Sequence, residues 1–238
     1  MSTPKIKKSE RTLCLILSCA AKVFAEKGFE KTSIADVAAA AEISVPGVYR
    51  YFRGKRDLYF AALEYEVDRM NFAVTESLQT QTLPALTGGF WREYAALAVN
   101  YPLAASAIGS EDVDVLTLVC NMDSTEAVFD LIDNELTLAQ SFGHLRQDIK
   151  IVDVMRPARG FMLKMLLPLV FNGKYNSPEW LAVSSLVSAT IFQPMPDLSS
   201  PESIAALEAD MTALAAKMAE QSPLQTSTCG LKTVPPIG

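Results

Sequence analysis

The sequence predicts an all-α fold in which a small N-terminal three-helix head joins a larger helical body. Apolar residues recur at three- and four-residue steps along most of the chain, the period of a buried helical face. Serines and prolines stand where helices start, and glycines stand where they stop. No stretch alternates apolar and polar residues long enough to make a strand.

The head comes first. From Ser9 to Lys27, the residues Leu13, Ile16, Leu17, Ala20, Val23 and Phe24 form one apolar stripe, and Gly28 ends the helix. Ser33 caps a second helix, with Asp36 three positions on as an acidic capping box; Ile34, Val37, Ala38 and Ala41 supply its buried face. Ser44 caps a third, very short helix. Pro46 fits its first turn because amides there have no acceptor to lose. Val48 and Phe52 face inward, while Tyr49, Arg50 and Tyr51 complete the helix. Two short helices with two or three residues between them have helix-turn-helix geometry.

A longer helix runs from Lys55 towards Ser77. Further helices are expected near Pro84 to Asn100, Leu103 to Ile108, Val113 to Asn121, Ser124 to Phe142, Ile151 to Phe171 and Pro178 to Phe192. Pro157 and Pro168 should bend the fifth of these or mark its ends. Ser177 caps the sixth, with Pro178 at its first position. Gln193 to Pro201 reads as a linker, Pro201 to Gln221 as an alanine-rich helix, and Ser222 to Gly238 as a disordered tail. The domain organisation is then 1–54 for the arm and head, 55–221 for the body and 222–238 for the tail.

Half of the residues are apolar and a fifth are charged, which suits a folded globular protein. No apolar run approaches the ~18 uncharged residues of a membrane span, and the N-terminus lacks a signal-peptide pattern, so a cytoplasmic protein is expected. The four cysteines, Cys14, Cys19, Cys120 and Cys229, have neither metal-ligand nor redox spacing and read as free thiols. Phosphate loops, histidine pairs and nucleophile elbows are missing, so no enzyme, cofactor or metal is expected. The net charge of −6 hides a split: residues 1–60 carry eleven Lys and Arg against six Asp and Glu. A basic head on an acidic body points to a polyanionic partner at one end.

Three runs carry a family resemblance. They are Phe24-Ala25-Glu26-Lys27-Gly28-Phe29, Thr32-Ser33-Ile34-Ala35-Asp36-Val37-Ala38, and Ser44-Val45-Pro46-Gly47-Val48-Tyr49-Arg50-Tyr51-Phe52 with Lys55. In order, spacing and residue type this resembles the head of the tetracycline-repressor (TetR) family. The resemblance implies a DNA-binding transcriptional regulator, most often a repressor, that binds a palindromic operator as a homodimer and leaves it when a small molecule enters the body.

On that basis Val45, Pro46, Gly47, Tyr49 and Arg50 face the major groove after their cap Ser44. Thr32, Ser33, Tyr49, Tyr51 and Lys55 contact phosphates, which position without reading sequence. Lys5, Lys7, Lys8 and Arg11 form either a flexible arm or a solvated terminus. Pro46 and Gly47 depart from the usual glycine and small polar residue, leaving few polar side chains to read bases. Tyr51 is shared between phosphate binding and core packing, and Ser33 and Ser44 would cap helices in any protein.

The expected ligand pocket is lined by Phe90, Trp91, Tyr94, Met122, Phe129, Phe142, Met162 and Met165, suiting a small, mainly apolar effector. These aromatics equally suit a plain core. The only histidine, His144, reads as a cap or surface group. The resemblance puts the dimer interface on the helices Ile151 to Phe171 and Pro178 to Phe192, with Phe161, Met165, Leu186, Val187 and Ile191 as contacts. An orphan DNA-binding or helical interaction protein without an effector remains the alternative.

Overall fold

The computed structural model describes residues 8–81, 88–143 and 145–191, with seven further positions between 201 and 213. The described residues hold helices and turns and no strand. In chain order the helices are α1 (Lys8–Lys31), α2 (Ile34–Ala40), α3 (Val45–Tyr49), α4 (Lys55–Gln79), α5 (Gly89–Leu97), α6 (Pro102–Gly109), α7 (Val113–Cys120), α8 (Asp123–Ser141), α9 (Ile151–Phe161), α10 (Leu167–Phe171) and α11 (Pro178–Ile191). A 3₁₀ turn at Ala98–Asn100 follows α5, and a π-helical turn at Met162–Leu166 joins α9 to α10.

The 25-residue α4 is the axis of the molecule. It buries Leu58, Leu63, Val67, Met70, Val74 and Leu78, because α1 covers its first half while α5 and α8 cover its second. Two buried polar groups on this helix are satisfied across it. Glu66 accepts the Ala104 backbone N–H at 2.6 Å, holding the first turn of α6, and burial pushes its carboxyl up against the pull of the Ala104 and Leu103 amides. Asn71 donates to Ser124 at 3.1 Å and to Thr125 at 3.0 Å, and accepts from the Tyr94 hydroxyl at 2.7 Å. Burial also raises the Tyr94 phenol.

Helix existence follows the sequence pattern closely, but ends and continuity differ. Residues 82–87 lie outside the description, so the helix expected from Pro84 is seen as α5 and its 3₁₀ turn. The proline-bearing helix keeps Pro157 inside α9 and then widens. Leu167 donates to the Met162 carbonyl five residues back, one residue before Pro168. Proline has no N–H to donate and its ring presses on the carbonyl four residues earlier; the wider turn accommodates both effects. Ser177 accepts from Trp180 N–H at 3.2 Å, as a cap should. The described positions between 201 and 213 are helical. The apolar positions of that helix, the arm at 1–7, His144, Cys229 and the tail lie outside the described residues.

Candidate nucleic-acid interface

The head is built on a kink. Gly28 has φ 77° and ψ 163°, inside α1, a backbone that glycine adopts without a Cβ penalty. The chain turns there, bringing Phe29 to 5.0 Å and Phe24 to 5.1 Å from the Tyr59 ring of α4. Lys55, at the start of α4, donates to the Glu30 carbonyl at 3.1 Å and lies 4.5 Å from the Phe29 ring centroid.

Both short helices are capped. Ser33 and Asp36 form a reciprocal box: Asp36 N–H donates to Ser33 Oγ at 3.2 Å, and Ser33 N–H donates to Asp36 Oδ2 at 2.8 Å. Lys27 Nζ lies 2.6 Å from Asp36 Oδ1. The Lys27 ammonium first, and the Ser33 donors next, hold the Asp36 carboxyl well below the usual carboxylate range. Four residues, Ala41 to Ser44, separate α2 from α3, rather than the two or three expected. Within that turn Ile43 N–H reaches the Ala38 carbonyl and Glu42 N–H the Ala39 carbonyl, the paired bonds of a Schellman ending. Glu42 takes the left-handed position, φ 53°, where glycine is usual.

Ser44 Oγ accepts from Gly47 N–H at 3.2 Å to start α3. A Cβ at Gly47 would sit 3.2 Å from that oxygen, so the glycine keeps the cap close. Val48 and Phe52 are buried and lock α3 to the head. The opposite side presents Val45, Pro46, Arg50 and Tyr49, which is 54% exposed. Tyr51 is half-buried, tilted against Phe52 with ring centroids 6.4 Å apart. Thr32 stands apart from these: it is 3% exposed and its hydroxyl donates to the Gly28 carbonyl at 2.8 Å, bracing the kink. Arg53 and Arg56, which sequence reasoning did not single out, flank Lys55 and extend the exposed basic surface. Their signal was the bare basic run Arg53-Gly54-Lys55-Arg56.

A family model described as bacterial regulatory proteins, tetR family, matches residues 16–62, from the middle of α1 into α4. Over these residues the head is similar to the tetR family. A curated relative is also similar: the HTH-type transcriptional activator FasR of Mycolicibacterium smegmatis is 29% identical over 132 residues, 50% of this chain and 58% of that protein. The chain thus matches somewhat over half the length of that relative. The fold is shared with the fatty acid degradation regulator FadR from Bacillus halodurans. That match has TM-score 0.54 and 15% identity, and covers 82% of this chain and 99% of the other. RolR, solved in complex with resorcinol, has TM-score 0.55 and 14% identity, with 82% and 92% covered.

The body places the expected pocket residues unequally. Phe90, Tyr94, Phe129 and Met162 are buried in the common core, with the Phe90 ring 5.1 Å from Tyr94 and 5.9 Å from Phe129. Trp91 is half-buried and meets Trp180 at 6.2 Å; Met122 is half-buried at the start of α8. Phe142 is half-buried at the end of α8, outside that core. Met165 is 48% exposed, in the π-helical turn, and so does not face the core with the others. Of the expected dimer contacts, Phe161 is half-buried, Leu186 is 61% exposed, and the side chains of Val187 and Ile191 lie outside the described residues. Cys14, Cys19 and Cys120 are free thiols. No described helix is long and apolar enough to cross a membrane.

Proposed function

We propose that this protein is a sequence-specific DNA-binding transcriptional regulator, a homodimeric repressor that leaves a palindromic operator when a small molecule binds its body. The observation that carries the reading is the two-sided α3. Val48 and Phe52 anchor it, while Val45, Pro46, Tyr49 and Arg50 stand exposed at the edge of a basic head. A helix of this kind enters the major groove and touches base edges with its outer side chains.

Arg50 is assigned to guanine, Val45 and Pro46 to thymine methyls, and Tyr49, Tyr51, Lys55 and the Ser33 helix start to phosphates. With so few polar groups on α3, DNA shape supplies part of the selectivity. Residues 1–54 make the DNA-binding part and 55–221 the effector-binding and dimerisation part, with α4 running between them. Two heads are needed because one buries too little surface at cellular salt, and a dimer spaces two α3 helices by about 34–36 Å. The exposed Met165, Leu181 and Leu186 near the end of the body support pairing there. Such a protein works in the cytoplasm as a regulator and not as an enzyme. FasR is named an activator, so the sense of regulation is tested separately, by a reporter gene with and without this protein.

The direct experiment is a gel shift against the DNA upstream of the protein's own gene. The wild type should give a discrete shift that the Tyr49→Ala, Lys55→Ala double variant weakens strongly. Equal, weak binding of both to every duplex would overturn the reading.

A further inference from the structure

Arg56, at the start of α4, reaches from the basic surface to the body. Its Nη2 donates to Asp114 Oδ2 on α7 at 2.7 Å, and its guanidinium lies 5.3 Å from the centroid of the Phe60 ring one turn on. Both partners are open to solvent, with 71% of the Arg56 side chain and 65% of the Asp114 side chain exposed. Other ion pairs stay within one part of the molecule. Lys27 meets Asp36 in the head, and Arg159 of α9 meets Glu126 of α8 in the body. A cation that flanks Lys55 is thus tied to a body carboxylate.

Asp114 belongs to an acidic corner. Glu111, Asp112 and Asp114 stand exposed where α6 gives way to α7, with Glu111 in the left-handed region at φ 59°. Asp112 caps α7 by accepting from Asp114 N–H at 2.8 Å and Val115 N–H at 3.2 Å, which fixes Asp114 in the first turn. The charge of this corner is felt on α4: burial, and then the Asp112 carboxylate, push the Tyr59 phenol up. The preceding helix α6 is fastened at both ends. Glu66 holds the Ala104 N–H, and Asn172 Nδ2 donates to the Gly109 carbonyl at 3.0 Å. The corner is therefore carried by the helices of the body.

We propose that Arg56 is a DNA phosphate contact held in reserve: its guanidinium pairs with Asp114 while the head is free and transfers to a backbone phosphate on DNA. The inference rests on reading the head as a DNA-binding surface, and adds to it one contact and one competitor. A phosphate meeting the same guanidinium would stand beside Asp114, with Asp112 and Glu111 close behind, and these like charges favour exchange over sharing. The pair is exposed, so it shifts an equilibrium by about fivefold at most and can be given up. The Phe60 ring steadies the guanidinium under either partner, since a ring contact uses its face and hydrogen bonds use its edge. A body rearrangement that draws α7 from α4 frees Arg56 for DNA, and one that closes the two withholds it.

The test is a double-mutant cycle on DNA affinity. The full chain is titrated by anisotropy with the upstream duplex and with a scrambled duplex, at low and at high salt. Arg56→Gln should weaken binding to both duplexes alike and lower the salt slope of log K by about one. Asp114→Asn should tighten binding to both by about two- to fivefold at low salt, and the gain should shrink at high salt. In the Arg56→Gln background Asp114→Asn should lose most of that gain. Each variant removes one exposed pair, so its melting temperature should fall by no more than about 2–4 °C. Unchanged or weakened affinity in Asp114→Asn, an equal gain in the Arg56→Gln background, or full affinity in Arg56→Gln would each overturn the proposal. Specific binding without this coupling overturns only the reserve contact. Coupling without preference for the upstream duplex overturns only the sequence-specific regulator, and no binding to any duplex overturns both.

Discussion

Lys55 places its ammonium 4.5 Å from the centre of the Phe29 ring, joining the first turn of α4 to the kinked end of α1. The contact fixes the basic start of α4 against the end of α1. Lys55→Met keeps the apolar stem and removes the charge. It should weaken binding to all duplexes alike and lower the salt slope of log K by about one. Stability should fall by only about 0.5–1 kcal/mol, the worth of an exposed cation–π contact. Anisotropy titrations at several salt concentrations, with a melting curve, check both.

Asp36 gives the head a defined acid response. Its carboxyl is held below the usual range by Lys27 and Ser33, so its stabilisation is present above the unfolded value of about 3.9 and is lost as pH falls towards the lower folded value. The gap in melting temperature between wild type and Asp36→Asn should therefore be widest near neutral pH and close on acidification below about pH 4.

Glu42 occupies a left-handed position that costs a residue with a Cβ about 1 kcal/mol or more. Glu42→Gly should stabilise the protein by about 1 kcal/mol, raising the melting temperature by about 2–4 °C. DNA affinity should not fall.

Asn71 joins α4 to α5 and α8 through Tyr94, Ser124 and Thr125. Asn71→Ala strands a buried phenol and should cost about 1–3 kcal/mol in denaturant unfolding, beyond the loss of packing. In the double variant with Tyr94→Phe the two costs should be less than additive, because the stranded hydroxyl is gone.

Much of the head was legible in sequence because its determinants are local. The Ser33–Asp36 box, the Ser44 cap and the Gly28 break each act within four residues, where spacing alone is informative. The inward turn of Thr32 was not legible: its residue type suits a phosphate contact, but the kink it braces uses its hydroxyl. In the body, the 3.6-residue period located helices but not their partners. Arg159 and Glu126 are 33 positions apart, and nothing in either neighbourhood announces the pairing. Met165 was assigned to both the pocket and the dimer face. The π-helical turn before Pro168 shifts the register there and leaves it exposed. Asn71 did leave a trace, as a polar residue within the apolar run of Val67, Met70 and Val74.

The central claim is that the exposed side of α3 reads DNA sequence, and Arg50 tests it most directly. At one fixed salt concentration, the dissociation constants of wild type and Arg50→Ala are measured for the upstream duplex and for a scrambled duplex of the same composition. The wild type should prefer the upstream duplex by about 10³-fold or more. Arg50→Ala should lose about 1–3 kcal/mol on that duplex and little on the scrambled one. Equal losses on both duplexes, or no preference by the wild type, would contradict the account.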